Sequence, residues 1–240
     1  MYGLRARVAG MVVGGVVTAT ALTGCTAVIG AEPSPDEPGT GRVVAGTAVK
    51  ALQGLDVKGR APMTGYDRDE FGPAWADVDR NGCDTRNDIL KRDLEGERFR
   101  AGTRDCVVIS GTFRDPYSDR VIDFVRGQHT STAVQIDHVV ALADAWQKGA
   151  QRWSADRRKE FANDPLNLLA VDGALNNRKQ ASDAASWLPP RKGYRCPYVA
   201  RQIAVKEKYD LWVTSAEREA MAAILRDCPK ERLPVSEQGE

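Results

Sequence analysis

The chain has 240 residues, of which 42% are hydrophobic and 28% charged, and its formal net charge at pH 7 is +1. This composition is typical of a soluble globular protein, and the length suits one domain, or one domain with an extension. The balanced charge excludes binding of nucleic acid or anionic membranes through a strongly basic surface as a whole, so any anion site must be a local patch.

The N-terminal segment is predicted to be a targeting signal outside the fold. Arg5 and Arg7 precede an apolar run that is too short and too rich in Gly and Thr for a transmembrane helix. The run ends in Leu-Thr-Gly-Cys at Cys25, which resembles the lipobox of bacterial lipoproteins. That resemblance implies cleavage before Cys25 and a lipid on its thiol. A plain secretory signal with a chance cysteine is the alternative.

The predicted organisation therefore has three parts. Residues 1–24 form a lipoprotein signal peptide, and residues 25–45, rich in Pro, Gly and acidic side chains, form a flexible tether. Residues 46–235 form the folded domain. The lipid would hold this domain at the extracytoplasmic face of a bacterial cell membrane, with release into the medium as the alternative.

The first half of the domain is predicted to contain two helices and a β-hairpin. A short helix is expected over 46–55, and a loop-rich stretch leads to a second helix from about Thr85. The runs CVVISGTF and RVIDFVRG are apolar and β-branched and flank a turn with proline, which is typical of a β-hairpin. TAVQIDHVV, at 132–140, is a third strand candidate.

The second half is predicted to be mostly helical. ALADAWQKGA and ADRRKEFAND, the latter preceded by Ser154 as an N-cap, have helical composition, and PLNLLAVDG is a short strand. ALNNRKQASDAASWL is expected to be a helix that ends before Pro189. Two more helices close the domain, and Thr214 with Glu217 forms a capping box for the last. The fold class is therefore α+β with a small antiparallel sheet.

Cysteine usage indicates two disulfides. Four cysteines remain after Cys25, and an even number outside the cytoplasm favours disulfides. Three pairings are possible. The favoured pairs are Cys83–Cys106 and Cys196–Cys228, because each closes a loop within one half of the domain. A metal site on cysteine is disfavoured, since no CxxC occurs and neither histidine is near a cysteine in sequence.

The middle of the chain carries a family resemblance. A strand ends in Asp-His, an insertion follows, and a second short strand leads into a helix with Asn. VQIDHVVAL … NDPLNLLAVDGALNNRKQ resembles the HNH (ββα-metal) nuclease superfamily, and within it the subfamily related to the C-terminal domain of GmrSD-type restriction endonucleases, including secreted bacterial members. The resemblance covers roughly 60–228. It implies an α+β fold with a ββα-metal core and surrounding helices.

The resemblance also implies an activity and the residues that perform it. The implied enzyme is a metal-dependent endonuclease that cleaves DNA, with RNA as the alternative, at low sequence specificity. His138 is the general base, and Asp137 is a metal ligand. Asn177 completes the metal site; Asn176 is the alternative, because only one of two adjacent helical residues points inward. Asn167 braces the loop that carries His138 and helps to orient its ring.

Further expectations concern the cofactor and the substrate. Carboxylate and amide oxygens suit a hard cation, so the cofactor is one divalent ion, Mg²⁺ or alternatively Mn²⁺. Lys179, Arg178 and Arg86 are expected to contact the substrate, with a structural ion pair as the alternative for Arg86. Adjacent strand residues point to opposite faces, so the strand must end or bend at the Asp-His pair.

Two other patterns leave alternatives open. The seven Lys and Arg residues between Asn176 and Lys206, interleaved with aromatics, suit a phosphate backbone and stacked bases, or else a solvated helical face with core aromatics. DVDRNGCDTRND resembles an EF-hand loop but lacks the final Glu, so a turn that positions Cys83 is favoured. The alternative to the nuclease is a non-catalytic cell-envelope lipoprotein that keeps the fold as a binding module. No obligate protein partner is implied.

Overall fold

A computed structural model describes residues 46–234 of the protein. The predicted signal peptide, the tether and the lipidation of Cys25 lie outside the described residues. The helices are α1 (Ala48–Gly54), α2 (Thr85–Asp93), α3 (Leu142–Gln147), α4 (Ala155–Ala162), α5 (Gly173–Lys179), α6 (Arg195–Lys208) and α7 (Ser215–Leu225). The strands are β1 (Glu95–Phe99), β2 (Val108–Arg114), β3 (Val121–Val125), β4 (Val134–His138) and β5 (Leu168–Asp172).

The strands form two antiparallel sheets, which agrees with the predicted α+β class. The predicted hairpin pairs β2 with β3 from Arg114↔Val121 to Ser110↔Val125, and β1 adds to the free edge of β2. Strand β1, with the sequence EGERF, was not predicted because it has no apolar, β-branched run. The third predicted strand, β4, does not extend the hairpin but pairs with β5 in a separate two-stranded sheet.

The β4–β5 sheet lies between two apolar clusters, which explains why β5 is buried along its whole length. Leu169 and Val171 pack on one side with residues of α1, α6 and α7. Leu168 and Ala170 pack on the other side with α2 and the hairpin. Burial of a leucine or valine side chain contributes about 1.5–3 kcal/mol when it is complete. A third cluster, centred on Phe161, lies under α3 and α4.

Helix α5 is shorter than predicted. It ends at Lys179 because Gln180 adopts a left-handed backbone, with φ of 49°. Residues 181–188 form turns, in which the Asp183 carboxylate accepts hydrogen bonds from Ala185 N and, on its other oxygen, from Lys148 Nζ. The helical expectation for the second half of ALNNRKQASDAASWL is therefore wrong. A buried ion pair to a distant lysine is stronger than local helix propensity, which is worth only tenths of a kcal/mol per residue.

The predicted helix caps form, one of them only in part. Ser154 Oγ accepts from Arg157 N at 3.2 Å at the start of α4. Thr214 Oγ1 accepts from Glu217 N at 3.2 Å at the start of α7. Glu217 does not return this bond, as a capping box would require, because its carboxylate is buried and bonded to Lys148.

Both favoured disulfides are present. Cys83–Cys106 joins the loop before α2 to the turn between β1 and β2, and Cys196–Cys228 joins the first turn of α6 to the segment after α7. Ahead of Cys83, the Asp77 carboxylate accepts hydrogen bonds from two successive backbone amides, so this stretch is a tight turn. Among the described residues, no helix has the length and apolarity to cross a membrane.

Candidate active site

A cleft of about 490 Å³ opens along the free edge of β4. In the described part of the chain β4 pairs only with β5, so no strand covers its other edge. Ile136, Asp137 and His138 line one wall of the cleft, and Asn176 and Asn177 of α5 line another. The strand ends at His138, as the adjacent Asp-His pair required. The cleft therefore brings together the predicted general base and both predicted metal ligands.

Asp137 is held by two buried side chains. Tyr117 Oη donates to Asp137 Oδ2 at 2.6 Å, and Lys179 Nζ donates to Asp137 Oδ1 at 2.9 Å. Lys179 Nζ also donates to the His138 carbonyl oxygen at 2.8 Å. Burial raises the pKa of the Asp137 carboxyl, although Lys179 and Tyr117 oppose that shift. The carboxylate is thus fixed in place with one hydrogen bond on each oxygen.

His138 is held as one tautomer of the neutral imidazole. Nε2 lies 2.8 Å from the carbonyl oxygen of Ala162, and a carbonyl can only accept, so Nε2 carries the proton. Nδ1 therefore keeps its lone pair. Burial lowers the pKa of His138 to about 3, with a smaller contribution from Arg68. The Trp75 ring stacks on the imidazole at a centroid distance of 6.2 Å and an interplanar angle of 13°.

Asn167 joins the two ends of the insertion between β4 and β5. Its Oδ1 accepts from Val140 N at 2.8 Å, and its Nδ2 donates to Val140 O at 3.2 Å. Its own carbonyl accepts from Val139 N at 2.8 Å. These bonds fix the two residues that follow His138, although α3 and α4 lie between them and Asn167 in sequence. The ring of His138 is held instead by Ala162 and Trp75.

Helix α5 presents both asparagines to the cleft. Asp172 is the N-cap of the helix. Its side chain accepts hydrogen bonds from the backbone amides of Ala174 and Leu175, which have no partner within the helix. Asn176 Nδ2 donates to Gln135 Oε1 at 2.9 Å, and Asn177 Oδ1 accepts from Gln135 Nε2 at 3.4 Å. Asn177 is exposed, whereas Asn176 is half-buried. Either amide oxygen has a lone pair left, so the choice of ligand between them stays a prediction.

The three predicted substrate contacts occupy different environments. Lys179 is fully buried, and its ammonium already bonds Asp137 and the His138 carbonyl. Arg178 is exposed at the end of α5. Arg86 donates to the carbonyl of Val134, at the opposite end of β4 from His138, and does not line the cleft. The structure brings only Lys179 next to the predicted catalytic residues, as a neighbour of Asp137.

Several basic residues of the stretch after Asn176 are buried or bond the backbone and are not part of a free basic surface. Lys206 is fully buried, as is Lys179, and Arg201 donates to backbone carbonyls. The interleaved aromatic residues pack around Tyr117, in contacts with centroid distances of 5.1–6.1 Å that involve Trp187, Tyr194 and Tyr198. The structure therefore agrees with core aromatics, the second of the two interpretations for this stretch.

Several residues of the site were not identified from the sequence. Tyr117 lies in the turn between β2 and β3 and reaches Asp137 from twenty residues upstream. Trp75 and Arg68 lie in the loop-rich stretch before α2, and Arg68 lines the cleft opposite His138. Arg68 lies in the stretch DRDEFG, at residues 67–72, and nothing local in the sequence relates this arginine to the cleft.

The oxygen donors fit one hard divalent cation. Among residues 46–234 no group of three His, Cys, Asp or Glu side chains could hold a metal ion. Asp137 and one α5 asparagine would supply two oxygen ligands, and a carboxylate has about four lone-pair sites, of which two are used here. Mg²⁺ is commonly held by one or two carboxylates together with water and substrate phosphate. The residues present match that mode, and not a closed protein cage.

Comparison with known proteins identifies the family of the chain. A family model described as "GmrSD restriction endonucleases, C-terminal domain" matches residues 84–224, which include Asp137, His138, Asn167 and both α5 asparagines. A protein of Arthroderma benhamiae, named "Uncharacterized secreted protein", is 38% identical over 186 residues. That alignment covers 77% of this chain and 86% of the relative.

Proposed function

The chain belongs to the family of GmrSD restriction endonuclease C-terminal domains, and from that membership we propose that it is a divalent-metal-dependent endonuclease. Its substrate is DNA, with RNA as the alternative, and its sequence specificity is low. The observation that carries the proposal is the state of His138: Nε2–H is committed to the Ala162 carbonyl, so Nδ1 keeps its lone pair, and His138 lines the same cleft as Asp137 and the α5 asparagines. A general base for hydrolysis needs such a lone pair.

The chemistry follows from the positions of these groups. Water attacks the phosphorus, His138 Nδ1 takes a proton from that water, and the bond from phosphorus to the leaving oxygen breaks. The leaving oxygen keeps the electron pair of that bond and takes up a proton from solvent water. The bond from Nε2 to Ala162 keeps the ring in the required tautomer throughout. The negative phosphodiester favours the imidazolium that forms and so opposes the effect of burial on the pKa of His138.

The other residues position these groups. Asp137 and Asn177 (or Asn176) would hold Mg²⁺ or Mn²⁺, which supplies charge neutralisation at the phosphate and at the leaving oxygen. Lys179 and Tyr117 fix the Asp137 carboxylate, so we assign Lys179 a positioning role in place of direct substrate contact. Contact of Arg178 and Arg86 with more distant phosphates stays a prediction.

The test is digestion of plasmid DNA and of a long RNA by the purified chain. The wild type is expected to cut with Mg²⁺ or Mn²⁺ and not with EDTA. His138→Ala should lower the rate about 10²- to 10⁴-fold, the usual contribution of a general base. His129→Ala is the matched control, because it removes the other histidine of the chain, which is exposed, and it should leave the rate unchanged.

The alternative is a folded but non-catalytic binding module. It is favoured if the disulfide-bonded wild type cuts neither nucleic acid with any metal. Under the nuclease proposal, export is consistent with both disulfides and with a relative named as secreted. We also propose that Cys25 carries the membrane anchor. Cys25→Ala should then move the protein from the membrane fraction to the medium.

A further inference from the structure

A second, smaller pocket lies directly behind the catalytic histidine. Its volume is about 100 Å³, and its walls include Phe71, Trp75, His138 and Asn163. We call it the Trp75 pocket. Ala162, whose carbonyl accepts the Nε2 proton of His138, is also one of its lining residues. The inference below rests on the proposed nuclease function and concerns what this pocket binds.

Asn163 leaves a buried acceptor at this pocket. The side chain is 1% exposed, and its Nδ2 donates to Lys159 O at 2.9 Å, which fixes the orientation of the amide. Asn163 Oδ1 is buried and has no hydrogen-bond partner among the described residues. Such an atom is destabilising unless a donor reaches it. Asn163 lines the pocket, and a ligand or water with an N–H or O–H group that reaches this acceptor on binding would satisfy it.

Trp75 forms an aromatic wall of the pocket, and its backbone conformation is energetically unfavourable. Trp75 stacks on His138 and has a left-handed backbone, with φ of 60°, which is rare for a bulky residue. Its carbonyl accepts from Thr85 N, which ties it to the start of α2. Backbone strain of this kind persists where the surrounding structure enforces it, and it concentrates at functional sites. Flat aromatic walls bind nucleobases by stacking.

Arg68 connects the two pockets. Its side chain is exposed and lines both the catalytic cleft and the Trp75 pocket. His138 lines the same two pockets, and the charge of Arg68 contributes to lowering the pKa of His138. Within residues 46–234 it takes part in no ion pair. A free cation at this point is suited to a phosphate group that lies between the cleft and the pocket.

We propose that the Trp75 pocket binds one unpaired nucleobase next to the scissile phosphate, with Arg68 on the phosphate and an N–H of the base on Asn163 Oδ1. About 100 Å³ holds a few water molecules or a single planar ring, and no base pair. The substrate is therefore single-stranded, or has a base turned out of the helix. Arg68, Phe71 and Trp75 precede the residues matched by the family model.

The experiment measures binding to the full chain in EDTA, which prevents cleavage, by fluorescence anisotropy with labelled single-stranded oligonucleotides. One abasic position is moved along the strand. At one position it should weaken binding about 5- to 150-fold, the usual contribution of one stacked base. A duplex of the same sequence should bind more weakly than the single strand.

Two variants separate the base from the phosphate. Asn163→Leu should weaken binding of the intact strand and leave the abasic strand unaffected. Arg68→Ala should weaken binding of both strands equally. Gln128→Leu, at an exposed position, is the control and should change neither. Since the abasic scan uses the wild type, the test does not depend on folding of a variant.

The outcomes distinguish the two proposals. The base-pocket proposal is wrong if the abasic position has no effect on binding wherever it is placed, or if the duplex binds as tightly as the single strand. If the chain still cuts with Mg²⁺ in that case, the nuclease proposal stands. Absence of both binding and cleavage overturns the base pocket and the nuclease proposal together. A single sensitive position, lost in Asn163→Leu, supports the pocket.

Discussion

Within residues 46–234, lysine ammonium groups are buried in two places, and these differ in whether the carboxylate beside the lysine can still bind a ligand. The cleft pair is Lys179 with Asp137, where a single carboxylate borders an open cleft. The sealed network consists of Lys148, Lys206, Asp144, Asp183 and Glu217, all fully buried between α3, α6, α7 and the turn after α5. Arg60 reaches the network from its rim, at 2.6 Å from Asp183.

The two sites hold their charges differently. In the network, burial pushes the pKa of Asp183 up, but Lys148 and Arg60 outweigh it and hold that pKa below its ordinary value. At the cleft, burial is the larger effect and the pKa of Asp137 is raised. With Arg60 counted, three cations face the three carboxylates of the network, so its charges balance and it serves structure. Asp137 has one cation and unused lone pairs beside a cleft, which is what metal binding needs.

The largest expected loss of stability comes from a substitution that disrupts the sealed network. Lys148→Met removes the cation that bonds three carboxylates, and leaving buried charges without their partner costs about 3–5 kcal/mol. The free energy of unfolding, measured by urea denaturation, should fall by that amount while the activity per folded molecule stays the same. Lys192→Met, at an exposed site, should change it by less than about 0.5 kcal/mol. Loss of activity without loss of stability would contradict the division into structure and function.

The next effect concerns pH at the cleft. In the folded protein His138 stays neutral down to a pKa of about 3, whereas in the unfolded chain it takes up a proton below about pH 6.5. The unfolded state thus binds more protons between these values, and stability falls as the pH drops through this window. From pH 7 to pH 4 this one group should account for about 3 kcal/mol.

The measurement compares urea denaturation of the wild type and His138→Gln from pH 7 to pH 4. The variant should lose less stability over that range, because its side chain does not titrate. His129→Gln is the control and should follow the wild type, since His129 is exposed. Parallel curves for the wild type and His138→Gln would mean that His138 is not buried in its neutral form.

Lys179→Met tests the cleft pair, with a smaller expected loss. Asp137 keeps its bond from Tyr117 and borders the cleft, where water can reach it, so we expect about 2 kcal/mol. Removing the ammonium also removes a cation next to the proposed metal site. Mg²⁺ should therefore raise the melting temperature more in Lys179→Met than in the wild type. In Lys148→Met the effect of Mg²⁺ should equal that in the wild type; equal effects in all three proteins would argue against a metal at Asp137.

Sequence reasoning succeeded where the signal was local. The hairpin, the strand that ends at His138 and the cap at Ser154 depend on neighbouring residues, and all three are present. The pairs Cys83–Cys106 and Cys196–Cys228 close short segments and were also predicted.

It failed where a distant partner changed a local preference. Glu217 does not complete the predicted capping box, and Asp183 does not lie in the predicted helix, because both carboxylates bond Lys148. The support of the catalytic pair is equally non-local: Tyr117 and Trp75 reach Asp137 and His138 from other parts of the chain. A single sequence shows the motif, but it does not show which distant side chains hold the motif in place.

The smallest expected effect is the difference in stability loss between substitutions of two tyrosines in one aromatic cluster. Tyr117 Oη donates to the carboxylate of Asp137, whereas Tyr198 Oη accepts from the neutral amide of Gln202 at 3.0 Å. A hydrogen bond to a charged group contributes about 1.5–3 kcal/mol, and a neutral one about 0.5–1.5 kcal/mol. Tyr117→Phe should therefore lower the free energy of unfolding by about 1.5 kcal/mol, and Tyr198→Phe by about half of that. Equal losses would mean that Asp137 carries no charge in the folded protein, and the cleft pair would then be no ion pair at all.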